Sequence, residues 1–322
     1  SANIPGGHSF IRSPTGLWIV CWYGALIGIF LARGRLRQIV VAAAVVALAG
    51  SLCLAARDNQ VCVDVLDVGQ GSAALIDVAG SGDVLLDAGP RFNARNVVRH
   101  LRKRGVDRLE ALVLTHGDTD HIGGACEILG SVPVSELWCA PFSSSSWLYR
   151  GLIRDAAARN VRVRRLERGD HGFLGGGVEW EVLHPSGSVV RRRADESSLV
   201  IRIARGSAAV LFMGGADGSV EPAILRRTVE PVADILVAGN HGAADTCSDS
   251  FLAAVDPSSV IVSVGADNTD GQPDRNVLAR LAGRGIGVWR TDECGDLRIT
   301  FDPETEGEGS CRVSAISPNS GR

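Results

Sequence analysis

The sequence predicts an α/β protein built from two sheets with outer helices and preceded by a pair of membrane-spanning helices. Two observations lead to this fold class. From residue 61 onward, short apolar runs of strand length alternate with helical segments and are separated by Gly and Asp. Ahead of them, residues 16–32 and 39–56 form two apolar stretches without a charged side chain. With 322 residues, the chain is long enough for one large domain or two ordinary domains of roughly 100–200 residues each.

The overall composition excludes several classes of protein. A hydrophobic content of 45% with 21% charged residues is too apolar for a wholly disordered chain. The net charge of -3 provides no bulk basic field, so a polyanionic partner would need a local patch or a metal ion. The 8 cysteines include no CxxC pair, which argues against a zinc ribbon and leaves disulfide pairing open.

The two apolar stretches have the length of short membrane spans. At about 1.5 Å per residue, each covers roughly 26 Å of a hydrocarbon core about 30 Å thick. A buried helical hairpin is the alternative, but such helices normally carry a polar stripe, which neither stretch has. A cleaved signal peptide fits poorly, because two spans joined by a short basic turn do not form its pattern.

The charges around the spans predict their orientation. Arg33, Arg35 and Arg37 lie in the turn, which the positive-inside rule places in the cytoplasm. Everything after about residue 58 is then extracytoplasmic, and the chain is expected to be the tail of a longer inner-membrane protein. We therefore expect a transmembrane hairpin at 1–58, a folded domain at 59–303, and a flexible tail rich in Gly, Ser, Pro and Glu at 304–322.

The folded domain contains two series of strands in which hairpins are expected to dominate. Helices are predicted around residues 96–103, up to about 129, and at 149–159, 220–227, 250–255 and 275–284. Strands are predicted at residues 61–68, 73–78, 83–88, 109–115, 136–140, 161–166, 178–184, 198–204, 208–213, 234–239, 259–265, 288–291 and 297–301.

The strongest chemical signal follows the strand predicted at 109–115. His116, Asp118, Asp120 and His121 bring two imidazoles and two carboxylates into six residues. Crowding these groups is unfavourable unless a cation compensates their negative charge. A mixed set of nitrogen and oxygen ligands suits Zn²⁺ or Mn²⁺. The alternative is that both aspartates serve as turn and N-cap residues beside exposed histidines.

The cluster resembles the HxDxDH form of the metallo-β-lactamase signature, and other segments extend the resemblance. DVGQG at 67–71 and LLDAG at 85–89 resemble the opening motifs of the ComEC-type competence and DNA-internalisation proteins. The segments SLVIR at 198–202, VLFMGGAD at 210–217, GNHG at 239–242 and RTD at 290–292 follow in that family's order. Together they cover most of residues 61–301.

The resemblance implies a metallo-β-lactamase-like αββα sandwich of two mixed sheets with outer helices. It implies that one or two divalent ions, Zn or Mn, are held by His116, Asp118, Asp120, His121 and His241, with Asp217 and His184 as further candidates. Asp120 and His116 are then the catalytic candidates. The implied reaction is phosphodiester hydrolysis of single-stranded DNA, beside a membrane channel formed by an upstream segment of the same protein and other DNA-uptake components.

Several positions depart from the family pattern. Gly214-Gly215 stands where the family has a Gly-Asp pair whose carboxylate bridges two metals, so Asp217 would have to replace it. Asn240 replaces a histidine, Gln272 and Asp274 replace two more, and Ser72 replaces an aspartate. These losses support a second hypothesis, in which a degenerate domain binds DNA or supports the channel without cleavage.

A third reading is a hydrolase of a small ester or amide, since a fold does not fix a function. Arginine runs at 99–104, 162–168 and 191–193 could hold phosphates along a strand. A solvated surface explains those runs equally well, and no aromatic residue is interleaved with them.

Overall fold

The computed structural model describes residues 61–316 apart from 79–81, 142–145, 187–194, 227–230 and 302–309, together with scattered positions between residues 22 and 45. Most of the two expected membrane spans, 16–32 and 39–56, lie outside the described residues. Within the described part of the chain, no helix is both long and apolar enough to cross a membrane. Gln60–Leu101 and Asp107–Arg322 form one compact unit.

The described strands of this unit carry mostly Val, Leu, Ile and Ala, the side chains that pack well on a pleated sheet. They are β1 Cys62–Val65, β2 Ala74–Asp77, β3 Val84–Leu86, β4 Leu109–Leu114, β5 Val134–Cys139, β6 Arg162–Arg165, β7 His171–Gly175, β8 Val178–His184, β9 Val200–Arg205, β10 Ala208–Phe212, β11 Ile235–Val237, β12 Ser259–Val262, β13 Gly287–Arg290, β14 Leu297–Phe301 and β15 Cys311–Ala315.

The strands form two mixed sheets, which are antiparallel on one side and parallel on the other. The first sheet has the order β15-β14-β1-β2-β3-β4-β5-β6, and its pairs become parallel from β3 onward. The second has the order β13-β12-β11-β10-β9-β8-β7, with parallel pairs from β10 to β13. Parallel pairs are thus more common than the hairpin-dominated prediction implied, and the predicted two-sheet α/β sandwich is confirmed.

The described helices connect or follow strands, as parallel pairing requires. They are α1 Ala94–Arg104, α2 Thr119–Ile122, α3 Ala125–Ser131, α4 Trp147–Ala158, α5 Val220–Leu225, α6 Asp249–Val255, α7 Arg275–Gly283 and α8 Thr291–Cys294, with 3-10 turns at Arg91–Asn93, Asp195–Ser197 and Gly239–Gly242.

The central strands are buried on both faces, which explains why they are nearly continuous apolar runs rather than alternating ones. Every residue of β1, β2, β3 and β10 is buried. Beside the second sheet, Leu211 and Val260 pack in one core with Phe251 of α6 and Leu281 of α7. The two sheets therefore hold their strand ends in fixed positions.

One buried carboxylate joins β1 to its neighbour β14 in the first sheet. Asp64 of β1 accepts two hydrogen bonds from the Arg298 guanidinium, at 2.7 and 2.8 Å. His100 of α1 contacts the same carboxylate at 2.8 Å. Because Asp64 is fully buried, each of these partners offsets its desolvation.

One prediction about the chain's outer parts was wrong, and one strand was missed. The segment 304–322 was expected to be a flexible tail, but Cys311–Ala315 forms β15, which pairs with β14 along five residue pairs. The strand β7 was not predicted, because His171–Gly175 contains two glycines and only two large apolar residues. Both are edge strands of their sheets, and because edge strands are less buried, their apolar pattern is weak.

Candidate metal centre

The site forms where parallel strands of both sheets end. Asp87 follows β3 and His116 follows β4, two neighbouring parallel strands of the first sheet. In the second sheet, His241 follows β11 and Ser263 follows β12, which are also parallel neighbours. Carboxyl ends of parallel strands share one edge, so polar residues placed just after them converge.

The HGDTDH loop after β4 places two histidines in the protein interior. His116 and His121 are only 3% and 1% exposed, and their ring centroids lie 4.0 Å apart. Asp118 occupies the N-cap position of α2 without making a side-chain capping hydrogen bond. The alternative in which capping aspartates stand beside exposed histidines is therefore wrong.

His241 reaches this loop from the other sheet. Its Nε2 lies 2.9 Å from Oδ2 of Asp120, and its ring centroid lies 5.3 Å from that of His121. Asn240 and His241 have φ values of 41° and 54° in the left-handed region. This conformation is unfavourable for residues other than glycine, and such strain is common at functional sites.

A hydrogen-bond network centred on Asp87 sets the tautomers of the two loop histidines. Oδ2 of Asp87 accepts from Nδ1 of His121 at 2.6 Å and from the Thr115 hydroxyl at 2.8 Å. Since that hydroxyl has only one proton, Nδ1 of His116 is the donor in its 3.0 Å contact with Thr115 Oγ1. Both histidines consequently present an Nε2 lone pair to the site.

The third histidine follows the same pattern. Nδ1 of His241 lies 2.7 Å from the Ser263 carbonyl oxygen, which can only accept, so this nitrogen is the donor. Its Nε2 faces the Asp120 carboxylate, to which it donates a hydrogen bond when protonated and beside which it offers a lone pair to a cation when neutral. Imidazole lone pairs facing carboxylates repel unless a proton or a metal ion lies between them, and metal-ligating histidines typically donate their other nitrogen in this way. The donor set therefore fits a divalent cation.

Burial and neighbouring charges shift the pKa values of the cluster in different directions. Burial, followed by the neighbouring charge of His121, lowers the pKa of His116 well below its usual value. Burial is the largest influence on the pKa of His121 and would lower it, but Asp87 and the other nearby carboxylates together raise that pKa. Burial opposes ionisation of Asp120, yet the hydrogen bond with His241 and the nearby imidazoles lower its pKa. Asp120 is therefore ionised at neutral pH.

The side chains form two overlapping groups with metal-binding geometry. Ligand atoms of His116, Asp120 and His121 all lie within 4.8 Å of one another, and so do those of His116, Asp118 and Asp195. Burial, followed by the charge of Asp120, raises the pKa of Asp118. Asp195 was missed from the sequence, although it lies just before the SLVIR segment used for the resemblance.

Comparisons with known proteins agree with the arrangement. The family model described as the metallo-beta-lactamase superfamily matches residues 66–265. The chain belongs to the metallo-β-lactamase superfamily. Within this superfamily, the chain resembles competence proteins. Competence protein ComA of Neisseria gonorrhoeae is 32% identical over 249 residues, which cover 76% of this chain and 33% of that protein.

Two further relatives have a similar extent. Recombination protein 2 of Haemophilus influenzae is 32% identical over 244 residues, covering 74% of this chain and 29% of that protein. ComE operon protein 3 of Bacillus subtilis is 26% identical over 256 residues, covering 74% of this chain and 33% of that protein. The chain thus spans about a third of the length of these relatives. The likeness to ComEC-type proteins predicted from the motifs is confirmed.

One ligand position expected in a metallo-β-lactamase lacks its side chain here. A Cβ atom added at Gly215 would lie 2.3 Å from Nε2 of His116, so this backbone position directly faces the cluster. Asp217, proposed as its replacement, accepts hydrogen bonds from the backbone N–H and hydroxyl of Ser219 at 3.0 and 2.5 Å. It belongs to neither metal-binding group of described residues, because its carboxylate closes a local turn.

His184, the other additional candidate, has a supporting position. Its Nε2 donates to the Glu196 carbonyl at 3.0 Å, within the 3-10 turn that carries Asp195. His184 belongs to neither of the metal-binding groups found among the described residues. The contact shows that this histidine positions the backbone next to Asp195.

The replaced positions near residue 272 also have structural roles. Gln272 accepts a hydrogen bond from the Gln70 side chain at 2.6 Å, which links the DVGQG loop to the second sheet. Asp274 caps α7 by accepting from the Asn276 backbone at 2.8 Å. Neither belongs to the metal-binding groups among the described residues.

Proposed function

We propose that the domain is a metal-dependent phosphodiesterase that hydrolyses DNA, with single strands as its substrate. The observation that carries the proposal is the convergence of three histidine Nε2 lone pairs on the carboxylates of Asp118 and Asp120. Such a mixed nitrogen and oxygen set suits Zn²⁺ or Mn²⁺. Membership of the metallo-β-lactamase superfamily and the likeness to competence and recombination proteins support DNA as the substrate.

The residues of the cluster would have different roles in metal binding and hydrolysis. His116, Asp120, His121 and His241 would hold one ion, and His116, Asp118 and Asp195 mark a second position. A bound divalent ion supplies positive charge that polarises a phosphoryl oxygen and acidifies a nearby water. Asp120, ionised at neutral pH, would orient that water, while Asp87 and Ser263 keep the histidines in the tautomers that binding requires.

The test measures cleavage of a fluorescent single-stranded DNA while Mn²⁺ or Zn²⁺ is titrated. We expect the wild-type chain to cleave and His121→Ala to lose the activity. His171→Ala is the matched control, because His171 is exposed on β7, outside both metal-binding groups of the described residues. Cleavage that persists in His121→Ala would contradict the proposal.

A second function is favoured by Gly215, which leaves the position facing His116 without a carboxylate. A domain that keeps one weakly held ion could bind DNA without cutting it, since the missing anionic charge no longer offsets desolvation of a second cation. Strand binding without cleavage at any metal concentration would establish this function. Hydrolysis of a small ester or amide but not of DNA would establish the third reading.

We also propose that the domain faces the extracytoplasmic side of the inner membrane, where it would act with an upstream channel segment and other DNA-uptake components. The three arginines between the apolar stretches support this orientation. Alkaline phosphatase fused after residue 60 should be active. An active cytoplasmic reporter at the same point, with inactive phosphatase, would reverse the topology.

A further inference from the structure

Two large aromatic side chains near the metal centre are exposed to solvent. Phe92 and Trp147 are 77% and 73% exposed, and both line a groove of about 830 Å³. Burial of aromatic rings usually stabilises a fold, and these two exposed rings do not contribute that stabilisation. Exposed aromatic surface within a groove is typical of a binding site.

The groove also carries positive charge. Arg91 and Arg95 line it, and both are exposed, while Glu127 is the acidic residue of its lining. Neither arginine forms an ion pair with a carboxylate among the described residues, so both guanidinium groups are available to a ligand. Two cations beside two rings match a ligand with anionic groups and flat faces.

The groove and the metal centre share one structural element. Gly123, which lines the groove, follows His121 by two residues. A Cβ atom at Gly123 would lie 2.7 Å from the Arg91 backbone nitrogen, so the Arg91–Asn93 turn packs directly on the end of α2. The backbone N–H of Ala88 also donates to the His121 carbonyl at 2.8 Å. The groove therefore lies two residues along the chain from the ligand loop.

We propose that this groove binds a single-stranded nucleic acid next to the metal centre. Bases stack on Phe92 and Trp147, and the phosphates between them contact Arg91 and Arg95. A single strand suits the groove better than a duplex, because the faces of paired bases are already stacked on one another. The inference rests on the proposed function and adds to it the path that the substrate takes.

These rings and arginines were not linked by the sequence. The arginine runs considered there begin at Arg99 and contain no aromatic residue, whereas Phe92 and Trp147 lie 55 positions apart. The fold brings them together by packing the turn at Arg91–Asn93 near the start of α4.

The test measures binding in EDTA, where metal-dependent cleavage does not contribute. The full chain, kept in mild detergent, is titrated into fluorescein-labelled oligo(dT), and anisotropy gives the Kd. Phe92→Ala and Trp147→Ala should each raise the Kd about tenfold, which corresponds to about 1.4 kcal/mol of stacking. Phe173→Ala is the matched control: Phe173 is also 73% exposed but lies on β7, and its substitution should leave the Kd unchanged.

The arginines are tested through salt dependence. For single strands, log K falls with log salt by about 0.7 per phosphate contact, so Arg91→Gln with Arg95→Gln should reduce the slope by about 1.4. An unchanged slope would show that these side chains do not contact phosphates.

The outcomes separate this inference from the proposed function. If Phe92→Ala and Trp147→Ala bind oligo(dT) as the wild type does, the groove proposal is wrong, even if the wild type cleaves DNA. If they lose binding but the wild type cleaves nothing, the groove is supported and the proposed hydrolysis fails. Equally tight binding of duplex DNA would overturn the stacking arrangement. If the variants lose only adhesion to anionic lipid vesicles, the groove is instead a membrane contact.

Discussion

Nε2 of His241 lies 2.9 Å from Oδ2 of Asp120, although 121 positions separate the two residues. The contact joins the ends of β4 and β11, one strand from each sheet. Because Nδ1 of His241 donates to the Ser263 carbonyl, Nε2 is the nitrogen that faces the carboxylate, and a proton or a metal ion must lie between them. This is an arrangement that a cation stabilises.

Asp87 should act through the histidines rather than as a ligand. Asp87→Asn should lower Zn²⁺ affinity by about 10- to 100-fold, since it removes the charge that orients His121. Asparagine tolerates the left-handed backbone of Asp87, at φ 57°, so the fold should persist.

Isothermal titration calorimetry checks the Asp87 prediction. Asp256→Asn is its control, because Asp256 is exposed and has a similar φ of 51°. Equal affinities of the Asp87 variant and the wild type would show that Asp87 does not support the site.

Asp195 should contribute a ligand that the motif did not reveal. Asp195→Ala should weaken binding of the metal ion next to His116 by at least about tenfold, because it removes one of three converging donors. Glu196→Ala is the control, since Glu196 uses its backbone carbonyl to accept from His184. Calorimetry that finds the same loss in both variants would indicate a disturbed turn rather than a missing ligand.

Asp217 and Asp120 should differ sharply in their effect on catalysis. Asp120→Ala should reduce the cleavage rate by about 10²–10⁴-fold, the usual contribution of a group that handles a proton in the reaction. Asp217→Ala should change the rate less than about twofold, because its carboxylate is occupied by Ser219.

The Asp217 prediction replaces the one made from the sequence, where this residue supplied the missing bridge. Asp274→Ala should likewise leave the rate nearly unchanged, after allowance for the lost cap of α7. Loss of cleavage in Asp217→Ala would mean that this carboxylate moves into the site.

Glu221 should make stability depend on pH. Burial, opposed by hydrogen bonds from Ser248 and Cys247, raises the pKa of this carboxyl in the folded state. A raised folded pKa means that its stabilisation is present below the unfolded value of about 4.3 and is lost as pH rises through the folded pKa. The wild type should therefore lose stability relative to Glu221→Gln as the pH rises from about 4 to 7.

Urea unfolding across this range measures the Glu221 effect. Exposed Glu179→Gln should show no such trend. A constant difference in unfolding free energy between the wild type and Glu221→Gln would contradict the assignment.

The sequence predicted the ligand loop well because His116, Asp118, Asp120 and His121 are local, and a local pattern survives without knowledge of the fold. It also paired this loop with His241, through the order of the family's motifs. The sequence did not identify Asp195 as a ligand, because its position depends on how the strand after it pairs with β8, which residue spacing does not reveal. The polar edge strand β15 was not predicted for a similar reason, since none of its residues is fully buried.

We propose that the cluster around His116, Asp120, His121 and His241 is a metal site. Its most direct test is the metal content of the purified chain after loading with Zn²⁺ and dialysis, measured by mass spectrometry. We expect at least one ion per wild-type chain and loss of that ion in the double variant His121→Ala with His241→Ala. Wild-type chain that retains no more metal than the double variant would show that these residues do not form a metal site.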